Sequence, residues 1–349
     1  MSAEEGRPLQ AMFGRTKTLV GLDIGSYGVR AVELARSGDS LVLTGFGKAR
    51  IESPDALEDS IQQVLDEAGI RTRRCVTAVS GRSVIVRWVP MMPLGDAELR
   101  QAIRYEADKY IPFEVDEVIL DCQKIEEPMP GEQMRVVLVA VKKTMVEERM
   151  AMLDRLGLTP QIIDVDIFAL GNAFEGRNRR LGIDDEEVRG LVDIGANKTN
   201  IIIMRGNKCY FGREFYTAGN DLTEAVAKRF GEDPADVERM KEDPGGALET
   251  MQDAIVSVLE DLGSEVRLSF DYYENQFDQE VKEVYLSGGS ALFPGIDRML
   301  SNIFNLETAV WDPMEAVDIT SPKLDTSRLD GMNSDMAVAV GLASRLLSK

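Results

Sequence analysis

The sequence contains no histidine at all. That removes the commonest general base, every Ser-His-Asp or Cys-His arrangement, and every histidine-bearing zinc site. Any chemistry must run on carboxylates, lysine, backbone amides or a carboxylate-bound cation. Cysteine is scarce too: Cys75, Cys122 and Cys209 lie far apart with no CxxC pair, an odd set that reads as small buried hydrophobes in a reducing compartment. No apolar run approaches the roughly 20 residues of a membrane-spanning helix, and residues 1–17 lack the apolar stretch of a signal peptide, so the expectation is a soluble cytoplasmic protein. Basic charge is in deficit, with 40 Lys and Arg against 60 Asp and Glu and a formal charge of −20. Such a surface repels nucleic acid and anionic lipid over most of its area, and no nucleic-acid partner is expected. At 349 residues, 44% of them hydrophobic, the chain is long enough for two or more lobes with ample cores.

Residues 1–17 read as a short, flexible arm, with Leu9, Met12 and Phe13 offering one apolar turn. Strands are predicted at 19–24, 29–35 and 41–50, split by Gly25-Ser26-Tyr27-Gly28 and Ser37-Gly38-Asp39 into an antiparallel meander. A helix follows Ser53-Pro54-Asp55, with Leu57, Ile61, Val64, Leu65 and Ala68 on one face and Gly69 at its end; a strand at 76–79 resumes the sheet. Residues 82–157 have their own order: a strand at 83–89 stopping at Pro90, a helix at 96–110, strands at 118–125 and 135–141, and a helix at 144–156. This βαββα unit reads as an insertion in the first lobe. A strand at 161–165 and a helix beginning at 166 lead to a charged crossing at 177–187. The helical run 247–275 is core by default, 311–332 is an irregular connection, and a last helix spans 336–347.

The most informative pattern is a repeat. Gly21-Leu22-Asp23-Ile24-Gly25-Ser26 and Leu191-Val192-Asp193-Ile194-Gly195-Ala196 stand about half the chain apart, each after an apolar run and before a second strand. Duplicated halves argue for two like lobes facing a ligand cleft. Gly25 and Gly195 let hairpin amides approach a phosphate without an intervening Cβ. Asp23 and Asp193, at strand ends, suit a hydrated Mg²⁺ bridging phosphate oxygens. One Asp-Ile-Gly alone is as well explained by a tight β-turn; two at this spacing favour the cleft. A third element, Val284-Tyr285-Leu286-Ser287-Gly288-Gly289-Ser290, runs a strand into a double glycine that admits a flat base or a phosphate.

These elements resemble the two phosphate motifs and the adenosine motif of the actin-like ATPase superfamily, over about residues 19–348. The resemblance implies an α/β, two-lobe fold of duplicated ribonuclease-H-like halves. The first lobe would take 18–81, 158–188 and 334–349, the insert 82–157, and the second lobe 189–333. The insert is similar in position to that of the FtsA and PilM families. Within it, Glu106-Ala107-Asp108-Lys109-Tyr110-Ile111-Pro112-Phe113 resembles a PilM-family hallmark, a helix ending Glu-x-x-Lys-Tyr-Ile-Pro-Phe. That family resemblance implies a cytoplasmic scaffold of type IV pilus assembly. It would bind ATP with Mg²⁺, capture the N-terminal cytoplasmic peptide of PilN, reach the inner membrane through PilN, contact other platform and motor-ATPase components, and have scope for self-association. The peptide would lie in a groove between the first-lobe core and the insert, for which Val84, Val86, Ile103, Tyr105 and Phe113 are the expected walls. An FtsA-like filament protein is the alternative; its basic amphipathic helix beyond the core has no counterpart before Lys349. A sugar-kinase-like phosphotransferase would need a general base beside an acceptor hydroxyl.

Carried over residue by residue, Asp23, Gly25, Ser26 and Tyr27 match the first phosphate loop, while Arg30 reads as strand-surface charge. Asp193, Gly195, Asn197, Lys198 and Thr199 match the second, with Asn197 and Thr199 towards a terminal phosphate and Lys198 adding positive charge. Gly219 and Asn220 open a helix whose free amides suit an anion, unless Asn220 or Asp221 simply caps it. Glu238 and Lys241 resemble an adenosine-holding pair, or are a surface ion pair. Gly288, Gly289 and Ser290 form the adenosine motif. For hydrolysis, Asp164 aligns with the acidic interlobe position, acting with the cation-binding Asp193; Asp166 is the nearby alternative. A side chain as short as aspartate there implies slow or regulatory turnover.

Overall fold

In the computed structural model the first meander forms as read: β1 (Thr18–Ile24), β2 (Gly28–Ser37) and β3 (Ser40–Arg50) pair antiparallel. The structure describes residues 18–128, 131–320, 324–329 and 333–347, so the arm at 1–17 with its apolar turn lies outside them. Helix α1 (Leu57–Glu67) buries Ile61, Val64 and Leu65 and returns the chain to β4 (Arg74–Val79), which lies parallel to β1.

The insert follows as β5 (Val84–Met91), α2 (Asp96–Glu106), β6 (Val118–Lys124), β7 (Met134–Lys142) and α3 (Lys143–Arg155). Its sheet has the order β5-β7-β6. Strand β5 does not stop before Pro90 but pairs it with Arg135. As an edge strand, β5 loses no ladder bond to the missing N–H. The chain then returns through β8 (Thr159–Val165), parallel to β4, into α4 (Asp166–Leu181). The run expected to be a charged crossing is therefore helical to Leu181. It ends on Gly182, with Arg179 and Arg180 in a last turn whose carbonyls favour cations.

The second half repeats the plan with β9 (Val188–Ile194), β10 (Thr199–Arg205) and β11 (Lys208–Phe215), then α5 (Gly219–Phe230), α6 (Pro234–Glu242) and the long α7 (Leu248–Phe277). Strand β12 (Glu283–Ser287), α8 (Ile296–Phe304) and β13 (Glu307–Val310) complete it. The two large sheets read β3-β2-β1-β4-β8 and β11-β10-β9-β12-β13, one topology used twice.

Between them lies a shared apolar core built on α4 and the last helix, α9 (Ala337–Ser344), which packs with residues of both sheets such as Val32 and Ile202. Small residues set this approach: a Cβ on Gly341 would stand 1.7 Å from the Ala169 carbonyl oxygen, and one on Gly21 2.0 Å from that of Ala339. The connection at 311–332 acquires a purpose too. Asp318 exchanges backbone bonds with the outer edge of β3, accepting from Leu43 N–H at 2.8 Å and donating to the Leu41 carbonyl at 2.7 Å. It thereby covers one end of an otherwise unpaired strand edge. No helix among the described residues is long and apolar enough to cross a membrane.

Candidate functional site

The two Asp-Ile-Gly turns close in the same way. Gly25 N–H donates to the Gly28 carbonyl and Gly195 N–H to that of Lys198, each at 3.0 Å. The loops face one cleft, lined on one side by Asp23, Gly25, Ser26 and Tyr27, on the other by Asp193, Gly195, Asn197 and Lys198, and by Gly288 and Gly289 between them. Gly288 adopts φ 89°, and a Cβ there would stand 2.5 Å from the Ile194 carbonyl oxygen, so only glycine brings this turn against β9.

Two carboxylates buried in one cleft resist ionisation. Burial pushes Asp23 up to about 6, with Arg30 pulling it down and Asp193 and Asp166 pushing it further up. Burial also raises Asp193, against a hydroxyl bond from Ser287 at 3.0 Å. Arg30 is not surface charge. The β1–β2 register sets it opposite Asp23, so its side chain enters the cleft, with Nη1 3.8 Å from Asp23 Oδ2 and Nη2 2.5 Å from Asp335 Oδ1. Asp335, which also draws Lys48 to 3.6 Å, escaped sequence reading because it lies in a short 3-10 turn (Asn333–Met336) before α9 with no motif around it.

Asp164 is not among the residues lining this cleft. Its carboxylate accepts from Arg345 Nε at 2.9 Å and from Val165 N–H at 2.8 Å, and it faces a different cavity. Asp166 takes the cleft position instead, because α4 begins at this residue and breaks the strand alternation that would have kept 164 and 166 on one face. Lys198 is bonded to Asp166 Oδ2, and Asn200 Nδ2 donates to the same oxygen at 3.2 Å. Burial disfavours the Lys198 charge, yet Asp166 and Glu214 more than restore it, leaving its pKa raised.

Several expected contacts brace the second loop rather than line the cleft. Thr199 is buried and donates to the Thr217 carbonyl at 2.8 Å. The first amides of α5 are occupied, Gly219 N–H by the Gly195 carbonyl at 2.9 Å and Asn220 N–H by that of Ala196 at 2.8 Å. The Asn220 side chain holds Asn197, and Ser290 Oγ donates to the Gly195 carbonyl at 3.3 Å. Asp221, the N3 residue, accepts from Ala218 N–H at 2.8 Å and caps the helix. Glu238 and Lys241 pair at 2.9 Å, both bonded to the Thr223 hydroxyl, on α6 beside α5. The Glu238 charge reaches Tyr27: burial raises the Tyr27 hydroxyl, Arg50 lowers it, and Glu238 raises it further.

A second cavity of about 440 Å³ lies between the insert, the first lobe and the β10–β11 hairpin. Its apolar walls include Trp88 and Val139 of the insert, Ile163 and Phe168 of the first lobe, and Met204 of the second. In it, Asn172 Nδ2 is buried without a hydrogen-bond partner. None of the five expected wall residues lines it. Ile103 is core beneath α2, Tyr105 points outward at 83% exposure, and Phe113 lies under the Lys142 ammonium at 4.7 Å. Val84, Val86 and Trp88 share a face of β5 that packs on the central core, and of the three only Trp88 also lines this cavity.

Twin sheets of one topology, closed by paired Asp-Ile-Gly hairpins over a shared cleft, define an actin-like ATPase fold. Two distant solved structures share it: the ethanolamine utilization protein EutJ from Carboxydothermus hydrogenoformans, 16% identical over 95% of this chain and 90% of that one with TM-score 0.53, and MreB5 of Spiroplasma citri bound to ADP, 12% identical over 93% and 95% with TM-score 0.51. A much nearer match is a PilM–PilN type IV pilus biogenesis complex, 30% identical over 95% of this chain and 99% of that one with TM-score 0.83. The family model for the type IV pilus assembly protein PilM matches residues 21–347. The chain belongs to the PilM family.

Proposed function

We infer that this type IV pilus assembly protein is a nucleotide-dependent scaffold, holding ATP with Mg²⁺ in the cleft and the N-terminal cytoplasmic peptide of PilN in the groove. The observation that carries the nucleotide reading is the pair of half-buried, ionisation-resisting carboxylates Asp23 and Asp193 beside bare glycine backbone, with Asn200 Oδ1 buried in the same cleft without a partner. A divalent cation and its water shell would relieve all three. No group of three or more Asp, Glu, Cys or His among the described residues forms a metal cage, so such a cation would take its other ligands from water and phosphate, as Mg²⁺ ordinarily does. The cation's contribution is to neutralise phosphate charge. Asp23 and Asp193 would hold it, Ser26 and the loop amides of residues 26–28 and 196–198 would donate to phosphate oxygens, and Arg30 and Lys198 would supply positive charge. Asp166, which lines the cleft, would be the carboxylate that orients a water; its engagement by Lys198 and Asn200 favours slow turnover, with nucleotide acting mainly as a slow switch. Tyr27 with Glu238 and Lys241 would frame the adenosine.

The groove suits an extended peptide with apolar side chains: Trp88, Val139, Ile163, Phe168 and Met204 supply apolar wall between charged residues such as Asp164 and Arg345, and the Asn172 amide offers one buried donor for a peptide carbonyl. PilN in turn would place the chain on the cytoplasmic side of the inner membrane, where other platform and motor components, or further copies of the chain, would meet it. The match to PilM sets aside the FtsA-like alternative. Titration of a synthetic PilN N-terminal peptide from the same genome, followed by Trp88 fluorescence, tests the groove, and thermal shift with Mg-ATP tests the cleft. Saturable binding in both supports the scaffold; a flat peptide titration would refute the partner.

A further inference from the structure

The turn that enters the insert is gripped from the opposite lobe. Between β4 and β5 the chain reverses at Gly81, φ 87°, whose carbonyl accepts from Val84 N–H at 2.8 Å. The Gly81 N–H donates to Glu214 Oε2 at 3.0 Å, and Glu214 stands on β11. Its other oxygen accepts from the Tyr216 hydroxyl at 2.8 Å, and the Arg82 guanidinium lies over the Tyr216 ring, 5.3 Å from its centre. The same Oε2 is 3.4 Å from Lys198 Nζ. Lys198 belongs to the second phosphate loop, lines the cleft and is bonded to Asp166. One carboxylate therefore touches both the lysine of the cleft and the hinge of the insert.

The charges in this chain are out of balance. Lys198 serves two carboxylates, and the donors Glu214 receives from Gly81 and Tyr216 are neutral, so much of its neutralisation rests on a shared lysine. Any third anion beside Lys198 competes for that charge and repels Glu214 as well. The groove is exposed to the consequence because its walls come from three bodies: Trp88 from the insert, Phe168 from the first lobe, Met204 and Cys209 from the second. The insert also meets the second lobe where Trp88 packs on Phe211 at 5.9 Å and where Glu126 accepts from Tyr210 at 2.6 Å. Neither of those contacts includes a residue lining the cleft.

We propose that Glu214 is a positioning residue that couples the phosphate cleft to the peptide groove. With no anion beside Lys198, the lysine holds Glu214 on Gly81 and the groove keeps its second-lobe wall. When Lys198 is drawn to a terminal phosphate, Glu214 loosens its grip on Gly81 and the groove binds peptide more weakly. By linkage, peptide weakens binding of a triphosphate nucleotide by the same factor. This coupling rests on the nucleotide and peptide readings above, and the test separates it from them.

The full-length chain is titrated with the PilN peptide in Mg-ADP and in Mg with a non-hydrolysable ATP analogue, alongside hydrogen exchange of residues 80–84. In the wild type the analogue weakens peptide binding about fivefold or more relative to ADP, an ordinary allosteric coupling, and speeds exchange at Gly81. Glu214→Gln keeps an acceptor for the Gly81 amide but drops the charge. Its peptide affinity then differs by less than about twofold between nucleotides, while both nucleotides still raise its melting temperature. Tyr216→Phe, which spares the carboxylate, gives an intermediate difference and serves if the first variant folds poorly. Equal peptide affinity in both nucleotides in the wild type, or an undiminished difference in Glu214→Gln, overturns the coupling alone. Failure of either nucleotide or peptide to bind the wild type overturns the reading beneath it.

Discussion

Replacing Asp23 with asparagine should make the nucleotide-free protein more stable while abolishing its response to Mg-ATP. Burial raises this carboxyl from 3.8 to about 6, so above that pH the folded protein holds a charge that costs more inside than outside. A shift of about 2 pH units corresponds to about 3 kcal/mol; since the side chain keeps 17% exposure, the gain from asparagine should be about 2 kcal/mol. For a chain of 349 residues, that is a rise of about 3 °C in melting temperature. The pH sign follows from proton binding. Between 3.8 and about 6 the folded state keeps a proton that the unfolded state has released, so wild-type stability falls as pH rises through this window. The advantage of Asp23→Asn should therefore be absent near pH 4, grow through pH 5 and 6, and level off by pH 7.

Scanning fluorimetry across pH, with and without Mg-ATP, reads both halves. At a ligand concentration about 100 times Kd, binding adds about 2.7 kcal/mol to the wild type, enough to reverse the order of the two proteins. Asp23→Asn should show no such gain. A variant less stable than wild type at pH 7.5 would mean that Arg30 stabilises the Asp23 charge by more than burial penalises it. A variant that still gains stability from Mg-ATP would remove Asp23 from the cation site.

Other perturbations test other parts of the molecule. Asn172→Leu removes a buried donor without a partner, so it should leave the nucleotide response intact while lowering PilN-peptide affinity about tenfold or more, as measured by calorimetry. Arg345→Ala strips Asp164 of its cation; the loss of stability, about 1–3 kcal/mol in chemical denaturation, should shrink as pH falls, because Asp164, already raised by burial and then without Arg345, takes up a proton more readily. Gly341→Ala sets a methyl against the Ala169 carbonyl and should cost about 3 kcal/mol or more, seen as an early thermal transition. With only two tryptophans in the chain, Trp88→Phe should abolish any fluorescence change on peptide addition, whereas Trp311→Phe should preserve it.

The repeat was legible because its chemistry is local: Asp, a β-branched residue and Gly at the end of an apolar run specify a strand and a tight turn wherever they occur. The β1–β3 meander, α1, the insert and the double-glycine turn follow from period and punctuation in the same way. What escaped depends on contacts distant in sequence. Arg30 looked like surface charge because the pairing that sets it opposite Asp23 is a property of the folded hairpin, and Asp335 reaches the cleft only through the packing of α9 on α4 and β1. Asp164 and Asp166 could not be told apart from their spacing, since the step from β8 into α4 between them rotates one away from the other. Of the residues expected to wall the peptide groove, Val84 and Val86 share one face of β5 with Trp88 and pack with it on the central core, and of these three only Trp88 also lines the cavity between the insert and the two lobes.

The elements that escaped sequence reading also bear on why a cation and phosphates would suit this cleft. Asp23, Asp193 and Asp166 converge in one buried space, and the cations available to them are shared: Arg30 with Asp335, Lys198 with Glu214. A protein selected for stability alone would replace one carboxylate with a neutral side chain, as a buried charge without a full partner is costly. Retaining Asp23 and Asp193 together keeps two carboxylates whose charges burial disfavours, a cost that a bound cation would relieve, so ligand binding would be favoured by what the folded chain does not neutralise by itself. Glu214 carries that imbalance to the Gly81 turn and so to the insert. A cleft with fully paired charges would bind more weakly and would have nothing to transmit.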